Sequence, residues 1–234
     1  MIHNPWLAAL ITLLCCLAWM QGVGFLTRKG VFSNATSRKI IHIGTGPLFL
    51  LCWLLFPDVP ISRFLAAIVP FLIVVQLSLI GFGIIRDPST TKSMSRSGNK
   101  KELLKGPLFY GIIFVLLTVL FWKSPLAIVP LMILCGGDGV AELIGSRFRS
   151  MAIPWKKKKT LIGSLAMLLG GAILSLVILA IFRINGTLNL KIAELILPVF
   201  AISFIATLVE SVSPSDLDNI TVTAAAWLLT WLLI

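Results

Sequence analysis

The chain has 234 residues, of which 58% are hydrophobic and only 12% charged. A soluble globular chain carries roughly 25% charge, so this one has too few polar side chains to wet its own surface. Its charge is also unbalanced, with 20 Lys and Arg against 9 Asp and Glu for a net charge of +11.

Eight apolar runs follow one another: Trp6–Leu26, Ile40–Phe56, Phe64–Ile85, Leu108–Trp122, Pro125–Ile144, Leu161–Phe182, Ile192–Val209 and Ile220–Ile234. In lipid a backbone must satisfy its own polar groups, so these runs are expected to be helices. At ~20 residues per span they consume roughly 160 residues and leave only short connections. The expected fold is therefore all-α: a polytopic membrane helical bundle of about seven or eight transmembrane helices in a single domain over residues 1–234. Leu108–Trp122 and Ile220–Ile234 are short for a crossing. No charged segment precedes Trp6, so the first run reads as a true span rather than a signal peptide. Cys15, Cys16, Cys52 and Cys135 lie in apolar stretches, at spacings that fit neither a zinc site nor a disulfide framework.

The connections divide by charge. Residues 27–39 carry Arg28, Lys29, Arg38 and Lys39. Residues 86–107 carry Arg86, Lys92, Arg96, Lys100, Lys101 and Lys105. Residues 145–160 carry Arg147, Arg149 and Lys156 to Lys159. The odd-numbered loops hold 16 cations and the even-numbered loops 4. The positive-inside rule then places the odd loops in the cytoplasm. Anionic lipid heads account for part of this charge.

The acids divide as well. Asp58, Asp87, Glu102 and Glu194 sit in ordinary contexts. Asp138, Glu142, Glu210, Asp216 and Asp218 are expected at the cytoplasmic rim, where acids near membrane depth are costly and commonly functional. Asp138 lies in Gly136-Gly137-Asp138-Gly139, and glycines allow a close backbone approach. Asp138 and Glu142 are spaced i, i+4 on one helical face, with Gly145 near that face again. Mg²⁺ is held by one or two carboxylates plus phosphate oxygens, and this arrangement suits it. A packing face of small residues is the competing reading of the glycines. Two basic segments suit the same ligand. One is Ser95 to Pro107, with Lys100, Lys101 and Lys105. The other is Lys158-Lys159-Thr160-x-x-Gly163-Ser164, which opens the sixth run and offers helix N-terminal N–H groups to an anion. Neither is a Walker A motif. Together they point to a nucleotide or another polyphosphate with Mg²⁺.

The motif Asp138-x-x-Ala141-x-x-x-Gly145-x-Arg147, followed by Lys158-Lys159-Thr160-x-x-Gly163-Ser164, resembles the polyprenol kinase and CDP-diacylglycerol synthase superfamily. Arg38-Lys39-x-x-His42-x-Gly44-x-Gly46, Glu102-Leu-Leu-Lys105-Gly-Pro-Leu108, Cys135-Gly-Gly-Asp138-Gly, Glu210-Ser211 and Asp218-Asn219 bring it closest to the phytol kinase (phytol/farnesol kinase) family, from about residue 38 onward. Arg149 stands where related polyprenol kinases carry a glycine. Ile162 replaces an acid of the related enzymes and is typical of phytol kinases.

The resemblance implies CTP-dependent phosphorylation of phytol, or a related prenol, to phytyl phosphate, in phytol salvage towards tocopherol. The expected metal set is Asp138, Glu142, Asp218 and Asn219. The expected nucleotide set is Arg38, Lys39, Lys100, Lys101, Lys105, Gly137, Gly139, Gly145, Arg147, Lys158, Lys159, Thr160, Gly163 and Ser164. Asp138 is the expected catalytic acid group, with His42 or Glu210 as the base. The expected partners are CTP, Mg²⁺, a prenyl alcohol drawn from the bilayer, membrane lipids and a second copy of the chain, with no nucleic acid. The expected location is a cell inner membrane or a plastid membrane, with the active site facing the cytoplasm. A cytidylyltransferase making a CDP-lipid and a non-catalytic lipid transporter are the competing classes.

Overall fold

A computed structural model describes residues 2–148, 150–214 and 217–234, with Lys157 and Lys158 described by backbone alone. Arg149 and Asp216, and the side chain of Lys158, lie outside the described residues. The chain folds as two compact units, Met1–Trp122 and Lys123–Ile234. Among the described residues, seven helices are long and apolar enough to cross a membrane, which makes the protein a polytopic helical bundle.

The first unit contains α1 (Pro5–Arg28), α2 (Asn34–Cys52), α3 (Ser62–Phe82), the short α4 (Pro88–Met94) and α5 (Gly106–Leu120). Their starts follow local chemistry. Asn4, Ser33 and Asp87 each accept backbone N–H groups at an N-terminus, and Pro5 and Pro88 fill first-turn positions that need no N–H. A 3-10 segment, Lys100–Leu104, runs into α5, and the two together form the span that the run at 108–122 suggested only in part. Helix α3 packs on α5, and α1 packs on α2 and α3. Val23, Ile41, Leu77, Ile80, Met94 and Leu103 make one core cluster. Aromatic rings from Tyr110 and Phe114 through Phe49 to Trp53 and Trp122 form a second.

The second unit contains α6 (Pro125–Met132), a π-helical segment (Ile133–Asp138), α7 (Gly139–Arg147), the hairpin β1 (Ala152–Ile153) and β2 (Lys156–Thr160), α8 (Leu161–Ile184), α9 (Ile192–Val212) and α10 (Asp218–Leu233). The α6–α7 rod is the centre of this unit: α8, α9 and α10 all pack against it. Residues 127–139 are buried without interruption, and burial falls away along α7 towards Arg147. Helix α10 has 16 residues and is not among the seven long spans, in keeping with the shortness of the run at 220–234.

Candidate active site

Asp138 closes the π-helical segment, and its side chain is only 9% exposed. A π turn widens the helix by one residue and recurs at functional sites. The tandem Gly136-Gly137 weakens the ordinary α ladder at this point. Glu142 follows one turn later on the same face and is half-buried. Helices α7 and α8 run antiparallel, with Gly145 beside Gly163 and Gly136 beside Gly170. Asp138 therefore lies opposite about residue 168, roughly 10 Å below the start of α8 at 1.5 Å per residue. Asp138 thus lies about two turns along α8 from its start. The helix crossing, not the run boundary, fixes that depth.

The glycines are used by the fold. A Cβ on Gly145 would stand 2.9 Å from the Thr160 Oγ1 and 3.3 Å from the Gly163 Cα. One on Gly163 would meet the Ala141 carbonyl at 3.1 Å, and one on Gly137 would meet Met167 at 3.2 Å. These positions let α8 close on the central rod, as small residues do between membrane helices. Gly137, Gly145 and Gly163 thus make close packing contacts, and packing is the competing reading weighed for the glycines around Asp138. Gly139 is buried in the rod. Thr160 caps α8 by accepting the Gly163 N–H at 3.2 Å, and Ser164 is half-buried beside it.

The basic hairpin folds back onto the end of α9. The Lys159 ammonium forms an ion pair with the Glu210 carboxylate and donates to the Glu210 carbonyl at 3.1 Å. The Lys156 ammonium donates to the Ser213 carbonyl, and the Trp155 indole N–H donates to the Ser211 hydroxyl at 3.2 Å. The last carbonyls of a helix have no partners within it and carry partial negative charge, so ammonium groups are favoured there. Lys159 and Glu210 were expected as separate phosphate-binding and base groups; they are partners. Asp218 opens α10, where its carboxylate accepts the Asn219 N–H at 3.0 Å, and Asn219 is buried. Arg147 stands exposed at the end of α7. Arg147, Lys159, Thr160, Glu210, Asp218 and Asn219 thus share one end of the second unit, with Asp138 beneath it.

In the first unit, Lys39 turns inward and is 4% exposed, leaving Arg38 as the partly exposed member of the pair. His42 stacks on Tyr110 with ring centroids 4.3 Å apart, and the Tyr110 hydroxyl donates to the His42 carbonyl at 2.9 Å. Lys100 lays its ammonium over Gly83, the left-handed residue that ends α3. Lys101 and Lys105 are exposed. Beside them, Asp87 is half-buried. Desolvation alone would raise its pKa, but the Thr90 hydroxyl and N–H, the Ser89 N–H and the charge of Arg28 outweigh this and hold it below the usual carboxylate range.

Among the described residues, no three His, Cys, Asp or Glu side chains gather into a metal-holding group. Asp138, Glu142 and Asp218 therefore do not make a closed cage. A magnesium ion carried in on phosphate needs only one or two carboxylates, and this donor set fits that case. Sequence reasoning missed the Tyr110–His42 stack, the pinning of Trp155 and Lys156 on α9, and the π turn. Only the adjacent glycines signalled the last of these.

No protein-family model and no solved structure matches the chain. It is 37% identical over 211 residues to a probable chloroplastic phytol kinase of Triticum aestivum, covering 89% of this chain and 70% of that protein. It is 36% identical over 221 residues to the chloroplastic farnesol kinase of Arabidopsis thaliana, covering 93% and 71%. It is also 36% identical over 210 residues to phytol kinase 1 of the same plant, covering 88% and 69%. With identity of this level across most of both chains, this polytopic membrane protein belongs to the phytol/farnesol kinase family and is a lipid-alcohol kinase.

Proposed function

We propose that the chain transfers the γ-phosphoryl group of CTP to the hydroxyl of phytol, releasing CDP and phytyl phosphate for tocopherol and related prenyl-lipid synthesis. The observation that carries this reading is a nearly buried carboxylate, Asp138, on the central rod of a unit that also bears Arg147, Thr160, Asp218 and Asn219. Phosphoryl transfer needs positioning and charge neutralisation more than covalent chemistry. Asp138, with Glu142 or Asp218, would hold Mg²⁺, which neutralises charge on the triphosphate oxygens. Arg147 is assigned to those oxygens. The prenyl tail stays in the apolar phase, worth ~0.8 kcal/mol per buried CH₂. The Lys159 ammonium pairs with the Glu210 carboxylate. We place the reacting rim on the cytoplasmic side from the distribution of Lys and Arg.

The test is incubation of membranes bearing the chain with γ-labelled CTP and a panel of prenols. Labelled phytyl phosphate with CDP as co-product is expected. Pyrophosphate and a CDP-lipid would identify a cytidylyltransferase instead, and no labelled lipid with any prenol would sink the reading. Asp138→Asn should lower turnover by about 10²–10³-fold, the usual loss of a charge-stabilising group.

A further inference from the structure

The β1–β2 hairpin joins two membrane spans at one level. The Leu161 N–H that opens α8 donates to the Met151 carbonyl at 3.0 Å, and the Ile162 N–H donates to the Ser150 hydroxyl at 3.2 Å. On its other side the Trp155 indole N–H and the Lys156 ammonium reach Ser211 and Ser213 at the end of α9. Ser203 meets Leu168 and Lys159 meets Glu210, so α8 and α9 run antiparallel, the start of one beside the end of the other. Both helices are long and apolar enough to cross a membrane. The hairpin therefore lies at the boundary where both spans leave the apolar phase. Ile153 is its inward residue and is buried, whereas Met151 is 76% and Trp155 65% exposed. Met151 adjoins Leu161, the first residue of α8, and Trp155 adjoins Val212, the last of α9; both of these are exposed as well.

Ser211 takes the Trp155 indole N–H, so the polar group is satisfied while most of the ring stays outside the packed unit. A tryptophan of this kind suits the layer between water and hydrocarbon, where the residue is enriched in membrane proteins. The charge agrees. Residues 145–160 carry six Lys and Arg and no acid, and Glu210 offsets one of these charges. Anionic headgroups attract such a segment over about 8–10 Å, so the excess charge acts without any fixed side-chain geometry. We infer that the hairpin is a lipid-contact element. Met151, Trp155, Leu161 and Val212 enter the headgroup layer, and the basic run meets anionic phospholipid there. This contact needs neither the nucleotide nor the prenol.

The full chain is reconstituted in nanodiscs with a bimane probe on Met151→Cys, and the signal of the labelled parent chain, with its own Cys15, Cys16, Cys52 and Cys135, is subtracted. Lipids brominated close to the glycerol should quench the probe about twofold more than lipids brominated at the chain end, and aqueous iodide should quench it weakly. At low salt, brominated phosphatidylglycerol should be preferred over brominated phosphatidylcholine about fivefold, the factor for one extra cation near the headgroups. High salt should remove that preference. Val212→Cys carries the same probe beside the other span and should report the same depth. Quenching by iodide but not by lipid overturns the inference, as does quenching by chain-end bromines alone. Equal quenching by the two lipids at low salt also overturns it. A preference abolished by soluble glycerol phosphate reveals a free-phosphate site instead of a lipid surface and overturns it too. If Met151→Cys does not fold, the same outcomes at Val212→Cys decide.

Discussion

The crossing of α8 and the π-helical segment is tight enough to be tested with one methyl group. A Cβ on Gly170 would stand 2.5 Å from the Gly136 carbonyl oxygen and 3.3 Å from its carbon. Both atoms are backbone at the centre of the second unit, so no side chain can swing aside. Ordinary contact is about 3.5 Å, so the helices must part by roughly 1 Å. Inserting a group into a packed core costs about 1–3 kcal/mol. Alanine recovers about 0.5–1 kcal/mol of that through its better helix propensity. The net loss expected for Gly170→Ala is about 0–2.5 kcal/mol. Gly22 of α1 is the control, because nothing lies within 4 Å of a Cβ built there. Gly22→Ala should be neutral or slightly stabilising. The same displacement moves Asp138, two residues beyond Gly136, and misplacement by about 1 Å can cost ~10²-fold in rate. Thermal unfolding in detergent and prenol phosphorylation read the two effects. A Gly170→Ala protein with the stability and turnover of Gly22→Ala would refute the crossing described here.

Three further outcomes follow from local contacts. Glu210→Gln leaves the Lys159 ammonium without its carboxylate in a largely buried setting and should cost about 3–5 kcal/mol, whereas Lys159→Met with Glu210→Met should recover most of it. Equal unfolding midpoints for the single and double variants would refute the pairing. Tyr110→Phe loses the hydrogen bond to the His42 carbonyl but keeps the ring stack, so about 1 kcal/mol is expected, with a larger loss for Tyr110→Ala. Finally, Asp87 has a folded pKa below its unfolded value near 3.9. Its stabilising contribution is present above that value and disappears as pH falls through the folded pKa. Asp87→Asn should therefore flatten the acid limb of stability below about pH 4. A limb as steep as wild type in that variant would contradict the assignment.

Much of the architecture was written in the runs themselves. Twenty or so apolar residues between polar connections can satisfy their backbone in lipid only as a helix. Every one of the eight runs is helical in the structure. The ends were less legible. The span around Leu108–Trp122 begins earlier, at Lys100, because a 3-10 segment precedes α5. Charged residues there mask the start from any apolar count.

The candidate site divides in the same way. Asp138 and the ordered motifs were visible as residue types at fixed spacing, since spacing along one helix sets a shared face. The partners of the cations were not. Lys159 was read as phosphate-facing, yet it and Lys156 cap the end of α9, more than fifty residues away in sequence. Lys39 is buried, and Lys100 covers the end of α3. A lysine carries the same charge wherever it points, so sequence fixes how many cations there are but not which carbonyl or carboxylate each one meets. The sequence by itself determined a helical membrane protein with an acid set among glycines. Only the tertiary structure decided that those glycines seat α8 against the central rod, and that Lys156 and Lys159 meet the end of α9, because each depends on which helices cross and how closely.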